Sequence, residues 1–196
     1  MILSTAQWYR NGSNAWVWGL DDRLGYTVRS GYALLEREGN NTIKEAFKIL
    51  WSLKVAPTTQ VLVWRVLWNR LPTRGNLVVR EVQLANTLCP LCNMFEKTVD
   101  HLFINCDIAR KIWDLCDQWI GNFWVRHHSV PDHFLSFYLI CLNKKLNVLW
   151  LRVWVAIVWE IWTQRNKVVF NGGVVYAIEV FSLAQLKGWL WAKYKN

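Results

Sequence analysis

Cys89-Pro90-Leu91-Cys92, followed by His101 and Cys106, gives the spacing C-x2-C-x8-H-x4-C within 18 residues. Two cysteines separated by two residues can grip one ion from a tight turn, and a histidine and third cysteine farther on complete a Cys3His tetrahedron, which suits zinc. Four protein ligands leave no coordination position for water or substrate, so the chemistry predicted is one structural Zn2+. The competing reading treats the cysteines as small buried hydrophobes and His101 as a core or surface histidine. Both ligand pairs lie in one short segment, which argues against it. Ordering that segment by metal would supply roughly 10 kcal/mol or more in apparent terms. Leu102 and Phe103 are expected to pack just inside the site, with Asp100 or Glu96 orienting His101.

Two of the five cysteines remain, Cys116 and Cys141. Cys116 falls on the apolar side of its predicted helix and reads as core, not as a fifth ligand. His127, His128 and His133 gather around Asp132 in a polar stretch without cysteines, the pattern of a solvated loop and not of a second metal site. The chain carries no G-x-S-x-G, phosphate-loop GKS or GKT, H-E-x-x-H or G-x-G-x-x-G run. These absences point to a non-enzymatic protein.

Residues 46–80 hold six basic side chains, Lys48, Lys54, Arg65, Arg70, Arg74 and Arg80, and no acidic one. By contrast the zinc segment, Cys89 to Asp107, sets Lys97 against Glu96, Asp100 and Asp107 and is net negative. Zinc therefore reads as a staple, and Arg65, Arg70, Arg74 and Arg80 as candidate phosphate contacts for RNA or DNA, with salt-dependent and weakly selective binding. The alternative is that these cations solubilise the edges of a very apolar region.

The elements that must position these groups are mostly helical. Turn signals at Asn11-Gly12 and Leu24-Gly25 flank Trp16-Val17-Trp18 and Tyr26-Thr27-Val28, which fit short strands. A short helix over Tyr32–Leu35 should end at the Gly39-Asn40-Asn41 cluster. Thr42 and Glu45 form a capping-box pattern for a helix from Ile43 to about Trp51. Pro57 introduces Gln60–Asn69, so apolar that it predicts burial nearly all round. Pro72 ends that helix, and Thr73 caps a successor reaching about Ala85. Asp107 is placed to cap a helix carrying Ala109, Ile112, Trp113, Cys116 and Trp119, with a polar loop from Gly121 to Asp132 after it. The last third reads as helices from His133 to Cys141, from Leu146 to Val169, and after Gly172-Gly173 toward Trp191. The predicted fold class is mainly α: a helical domain with short N-terminal strands and a small Cys3His zinc-stapled insert.

With 196 residues, 53% of them hydrophobic, the chain can bury a sizeable core. A net charge of +9 biases it toward polyanionic partners. The fifteen tryptophans read mainly as core, the alternative being stacking on unpaired bases. Val148–Trp162, with Arg152 and Glu160 inside it, is too short for a membrane span, which needs about 20 mostly apolar residues. The odd cysteine count and a start lacking basic and apolar signal regions predict an intracellular reducing compartment, nucleus or cytoplasm.

These residues carry a resemblance. Gly25-Tyr26-Thr27-Val28-Arg29-Ser30-Gly31-Tyr32, Trp51 leading to Ala56-Pro57, Trp64-Arg65-Val66-Leu67-Trp68-Asn69-Arg70-Leu71-Pro72-Thr73, Asn76-Leu77, the four ligands, Leu102-Phe103 and Trp113 occur in order. The segment from about Trp16 to Trp113 resembles the zinc-binding domain downstream of the polymerase in plant LINE-type (non-LTR) retrotransposon reverse transcriptases. Trp159-Glu160-Ile161-Trp162-Thr163-Gln164-Arg165-Asn166-Lys167 and Phe170 resemble the stretch that family carries before ribonuclease H. The resemblance implies zinc ligands at Cys89, Cys92, His101 and Cys106 and a role in handling element nucleic acid. It divides the chain into a zinc-binding domain, 16–113, and a helical C-terminal extension packed on it, 114–196.

Two departures stand out. Val63 replaces the family's aromatic before Trp64, and no polymerase signature is present, Asp21-Asp22 lacking the aromatic-x-Asp-Asp pattern. Only 26 residues follow Phe170, too few for a ribonuclease H fold. The expectation is a detached zinc-binding, nucleic-acid-binding accessory module. The alternatives are a helical scaffold presenting Trp150, Trp154, Val158, Trp162, Phe181, Leu186 and Trp189 to a protein partner, or a remnant without selected function.

Overall fold

The computed structural model describes residues 8–10, 16–18, 41–84, 86, 88–95, 98–121, 126–138 and 143–193. The chain divides into two compact units, Met1–Asn41 and Thr42–Asn196. In the first, β1 (Trp8–Arg10) pairs antiparallel with β2 (Trp16–Trp18), Tyr9 opposite Val17. Tyr26–Val28, the short helix near Tyr32, Glu96 and Cys141 lie outside the described residues.

The second unit is helical. The first helix, α1 (Asn41–Ser52), buries Ala46 and Leu50, four residues apart on one face. It begins ahead of Thr42, so Thr42 is a helical residue and not the cap that the Thr42/Glu45 pattern predicts. The carbonyls at and just past its end are met from the next helix, where the Gln60 side-chain amide donates to Leu53 O at 2.8 Å and Leu50 O at 3.3 Å.

That next helix, α2 (Pro57–Leu67), starts with proline in its first turn, where no N–H is missed. It buries Thr59, Leu62, Val63, Val66 and Leu67 on one face. Burial all round is not what forms: Val61, Arg65 and Trp68 are exposed. The outer indoles cover one another instead, Trp64 edge-on to Trp68 at 5.4 Å and Trp68 edge-on to Phe47 at 5.5 Å. Thr73 then caps α3 (Arg74–Val79) by accepting from the Asn76 N–H. This helix stops six residues short of Ala85, with Glu81 already in the left-handed region at φ 62°.

After the cysteine segment a π-helical turn, His101–Asn105, leads into α4 (Asp107–Ile120). Cys106 occupies the cap position and Asp107 sits inside the first turn, favourable toward the helix dipole. Gly121 closes α4 at φ 72°, a conformation that favours glycine. The following helix, α5 (Val130–Ser136), begins earlier than expected because Ser129 caps it and Pro131 fits its first turn.

The centre of the unit is α6 (Lys144–Asn171), capped by Asn143. Every residue from Leu151 to Val158 is buried, as in a core helix. By length and composition alone, Lys145–Asn171 would also suffice to cross a membrane. Gly172 and Gly173, at φ 66° and 154°, end it and lead to α7 (Ala177–Lys193), which packs back on α6. Gly188 permits that approach: a Cβ there would stand 3.1 Å from Val153 Cγ2. Buried Glu160 on α6 meets Lys187 of α7 at 3.3 Å.

Among the described residues most tryptophans serve the core: Trp64, Trp150, Trp159, Trp162 and Trp191 pack partly buried against it. Trp113 and Trp154 are fully buried, whereas Trp51, Trp68, Trp119 and Trp189 are about half exposed. On the C-terminal helices Trp154, Val158 and Phe181 are buried, so of that apolar set only Leu186 and Trp189 are exposed.

Candidate metal centre

The Cys89–Cys92 knuckle is shaped by its backbone. Cys89 N–H donates to Phe95 O and Asn93 N–H to Cys89 O, both at 2.7 Å. Asn93 takes the left-handed conformation at φ 55°, one that asparagine tolerates better than most residues. The second ligand pair comes from the π-helical turn, whose backbone folds Cys106 back on His101: Cys106 N–H donates to His101 O at 2.7 Å. At the entry of that turn, the His101 N–H is received by Thr98 Oγ1 at 3.0 Å.

These two turns bring one donor atom each from Cys89, Cys92, His101 and Cys106 within 4.8 Å of one another. Cys89 Sγ and Cys106 Sγ are 4.0 Å apart, and Cys92 Sγ is 3.3 Å from His101 Nε2. Zinc–ligand bonds of about 2.3 Å to sulfur and 2.0 Å to nitrogen at tetrahedral angles require sulfur–sulfur and sulfur–nitrogen separations of about 3.8 and 3.5 Å. The sulfur pair is much too far apart for a disulfide, about 2.05 Å. The donor set and its spacing thus fit one four-coordinate zinc. Cys89, His101 and Cys106 are buried and Cys92 is half-buried, with Leu102 and Phe103 fully buried beneath them.

Cys89 and Cys106 share one hydrogen bond, which favours a single thiolate in the pair. The Cys89 thiol is lowered to about 4 by the hydrogen bond with Cys106 and by the backbone N–H groups of Leu91 and Cys92, against the opposing effect of burial. Cys106 is driven in the other direction by the same Cys89 contact and by burial. Cys116 is fully buried on α4, and burial pushes its thiol up to about 12. It is an inert core residue, as its helical position predicts.

Asp100 does not orient His101. Its carboxylate accepts the Val130 N–H at 2.9 Å and so ties the metal segment to the start of α5. The ring near His101 is that of Phe95, 5.6 Å away. Two arginines, neither expected in this role, stand close by. Arg74 Nη1 donates to Leu88 O at 2.9 Å, bracing the residue before the knuckle. Arg165 of α6 is buried, its guanidinium 4.8 Å above the Trp162 ring and bonded to Asn166 Oδ1 at 2.6 Å. Burial, and then the neighbouring Arg74, lower the Arg165 pKa, while Cys89 acts in the opposite direction. Nothing local in the sequence ties Arg165 to a knuckle 76 residues earlier.

Of the four arginines marked as phosphate contacts, Arg65, Arg70 and Arg80 are exposed and Arg74 is half-buried in its brace. The histidine group separates. His127 and His128 are exposed, but His133 is buried and belongs to the core, not to a solvated loop. Trp154 Nε1 donates to His133 Nδ1 at 2.9 Å, and the imidazole lies among Trp113, Phe137 and Trp154. Burial, with smaller contributions from Arg126 and His127, lowers its pKa to about 3. The amphipathic start of α5 could have signalled this, since Val130, His133 and Phe134 share a helical face.

No curated protein and no solved structure matches the chain. Residues 26–113 match the family model described as zinc-binding in reverse transcriptase. That span holds all four residues of the Cys3His cluster, so the segment that is similar to that family is also the one in which the structure gathers a zinc-type donor set.

Proposed function

We propose that the chain is a non-catalytic, zinc-stapled accessory module derived from a non-LTR retrotransposon reverse transcriptase, and that it binds nucleic acid. The observation that carries this reading is the closure of four protein donors on one point within the segment similar to that family. A bound zinc supplies cross-linking there and no reactive position. Cys89, Cys92, His101 and Cys106 hold the ion, and Asp100 and Arg74 fix the segment to the helices on either side. Thiolate ligands suit a reducing compartment, nucleus or cytoplasm.

Support for nucleic acid comes from Lys48, Lys54, Arg65, Arg70 and Arg80, all exposed in a stretch without acidic residues. The test is titration of labelled RNA and DNA oligonucleotides across a salt series. Replacing Arg65, Arg70 and Arg80 with glutamine should flatten the log–log salt slope by about 2 to 3. An unchanged slope removes this surface from the account. Exposed Leu186 and Trp189 favour a second reading, a helical scaffold for a protein partner. A monodisperse monomer that binds no apolar dye speaks against it.

A further inference from the structure

A groove of about 540 Å3 runs between α2 and α6, and no acidic side chain is among the described residues lining it. Arg65 enters from α2 and Lys167 from α6, both exposed. Phe170 lies in the last turn of α6 with 76% of its surface open. Trp159 and Trp162 form part of the wall, but each ring already carries a cation over it, Lys187 at 5.8 Å and Arg165 at 4.8 Å. Phe170 is therefore the ring best placed to receive a planar group.

We propose that this groove binds unpaired nucleic acid, with a base stacked on Phe170 and the adjoining phosphates at Arg65 and Lys167. The proposal rests on the nucleic-acid reading above and gives it a place and a strand class. Cations in line with an open aromatic ring are the combination that single strands use. A duplex keeps its base faces covered by neighbouring pairs and presents mainly phosphate, so it gains nothing from Phe170. The polarity of α6 orients the strand: its C-terminal carbonyls, just beyond Phe170, repel phosphate, which leaves the base there and the phosphates a turn earlier beside Lys167.

The experiment uses the zinc-loaded full chain and a fluorescein-labelled oligothymidylate, read by anisotropy across a salt series, with duplex DNA and oligoglutamate as competitors. Phe170→Ala should weaken single-strand binding about ten-fold without changing the salt slope. Phe170→Trp, which keeps a stacking face, should restore it and so exclude a folding defect. Arg65→Gln with Lys167→Gln should lower the single-strand slope by about 1.4. Oligothymidylate binding that is indifferent to Phe170→Ala overturns the groove while leaving the wider basic surface standing. Displacement as effective by oligoglutamate as by unlabelled oligothymidylate also overturns it, in favour of an acidic peptide. Failure of the wild-type chain to bind any oligonucleotide refutes both the groove and the reading on which it rests.

Discussion

His133 makes the stability of this protein depend on acid in a way that a single substitution should isolate. An indole N–H can only donate, so the Trp154 contact requires an unprotonated Nδ1 on His133. Protonation therefore destroys that bond and puts a charge among Trp113, Phe137 and Trp154. The folded pKa of about 3 lies below the ordinary 6.5. Between these values the unfolded chain binds a proton that the folded chain does not, so the contribution is fully present above 6.5 and is lost as pH falls. One group with these constants costs about 2–3 kcal/mol between pH 7 and pH 4.5. Zinc binding is itself pH-dependent, so the comparison must be with a variant that keeps the same four ligands. His133→Asn keeps an acceptor near the Nδ1 position and does not titrate. Urea unfolding of both proteins at each pH should show the wild type losing about 2–3 kcal/mol more than the variant on going to pH 4.5. Parallel pH profiles would refute a neutral, buried His133.

Elemental analysis should find about one zinc per chain, lost in Cys89→Ser/Cys92→Ser with a clear fall in melting temperature. Well-folded protein without zinc would refute the structural site. Arg74→Gln should cost about 1–2 kcal/mol through loss of the Leu88 brace. It should leave the salt slope of oligonucleotide binding unchanged, and a flattened slope would return Arg74 to the phosphate surface. At the α6–α7 contact, Gly188→Val should destabilise by about 1–3 kcal/mol by overpacking against Val153. Thermal melts showing wild-type stability would mean that the two helices are not held at this distance.

Much of the local structure was legible because its causes are local. The caps at Thr73 and the break at Gly172-Gly173 depend on a few neighbouring atoms, and both stand where the chain pattern puts them. The helical spacing of Ala109, Ile112, Trp113 and Cys116 likewise marks the buried face of α4. The Thr42/Glu45 pattern misled because a capping box identifies possible starts, and the helix had already begun at Asn41. Apolar content misled at α2: neighbours covered one face, and the outer indoles packed on one another.

The sequence by itself determined the zinc ligand set, because coordination needs four soft or borderline donors at reachable spacings and only one segment offers them. It also determined the predominance of helix, which follows from periodicity and breakers within single turns. What only the tertiary structure decided was which polar groups are withdrawn from water and what they then face. His133 meets an indole 21 residues away, and Asp100 a backbone N–H 30 residues away. Arg65 and Phe170 come to one groove from separate helices. Burial is a property of whichever distant element covers a side chain, and residue type and spacing along the chain do not encode that partner.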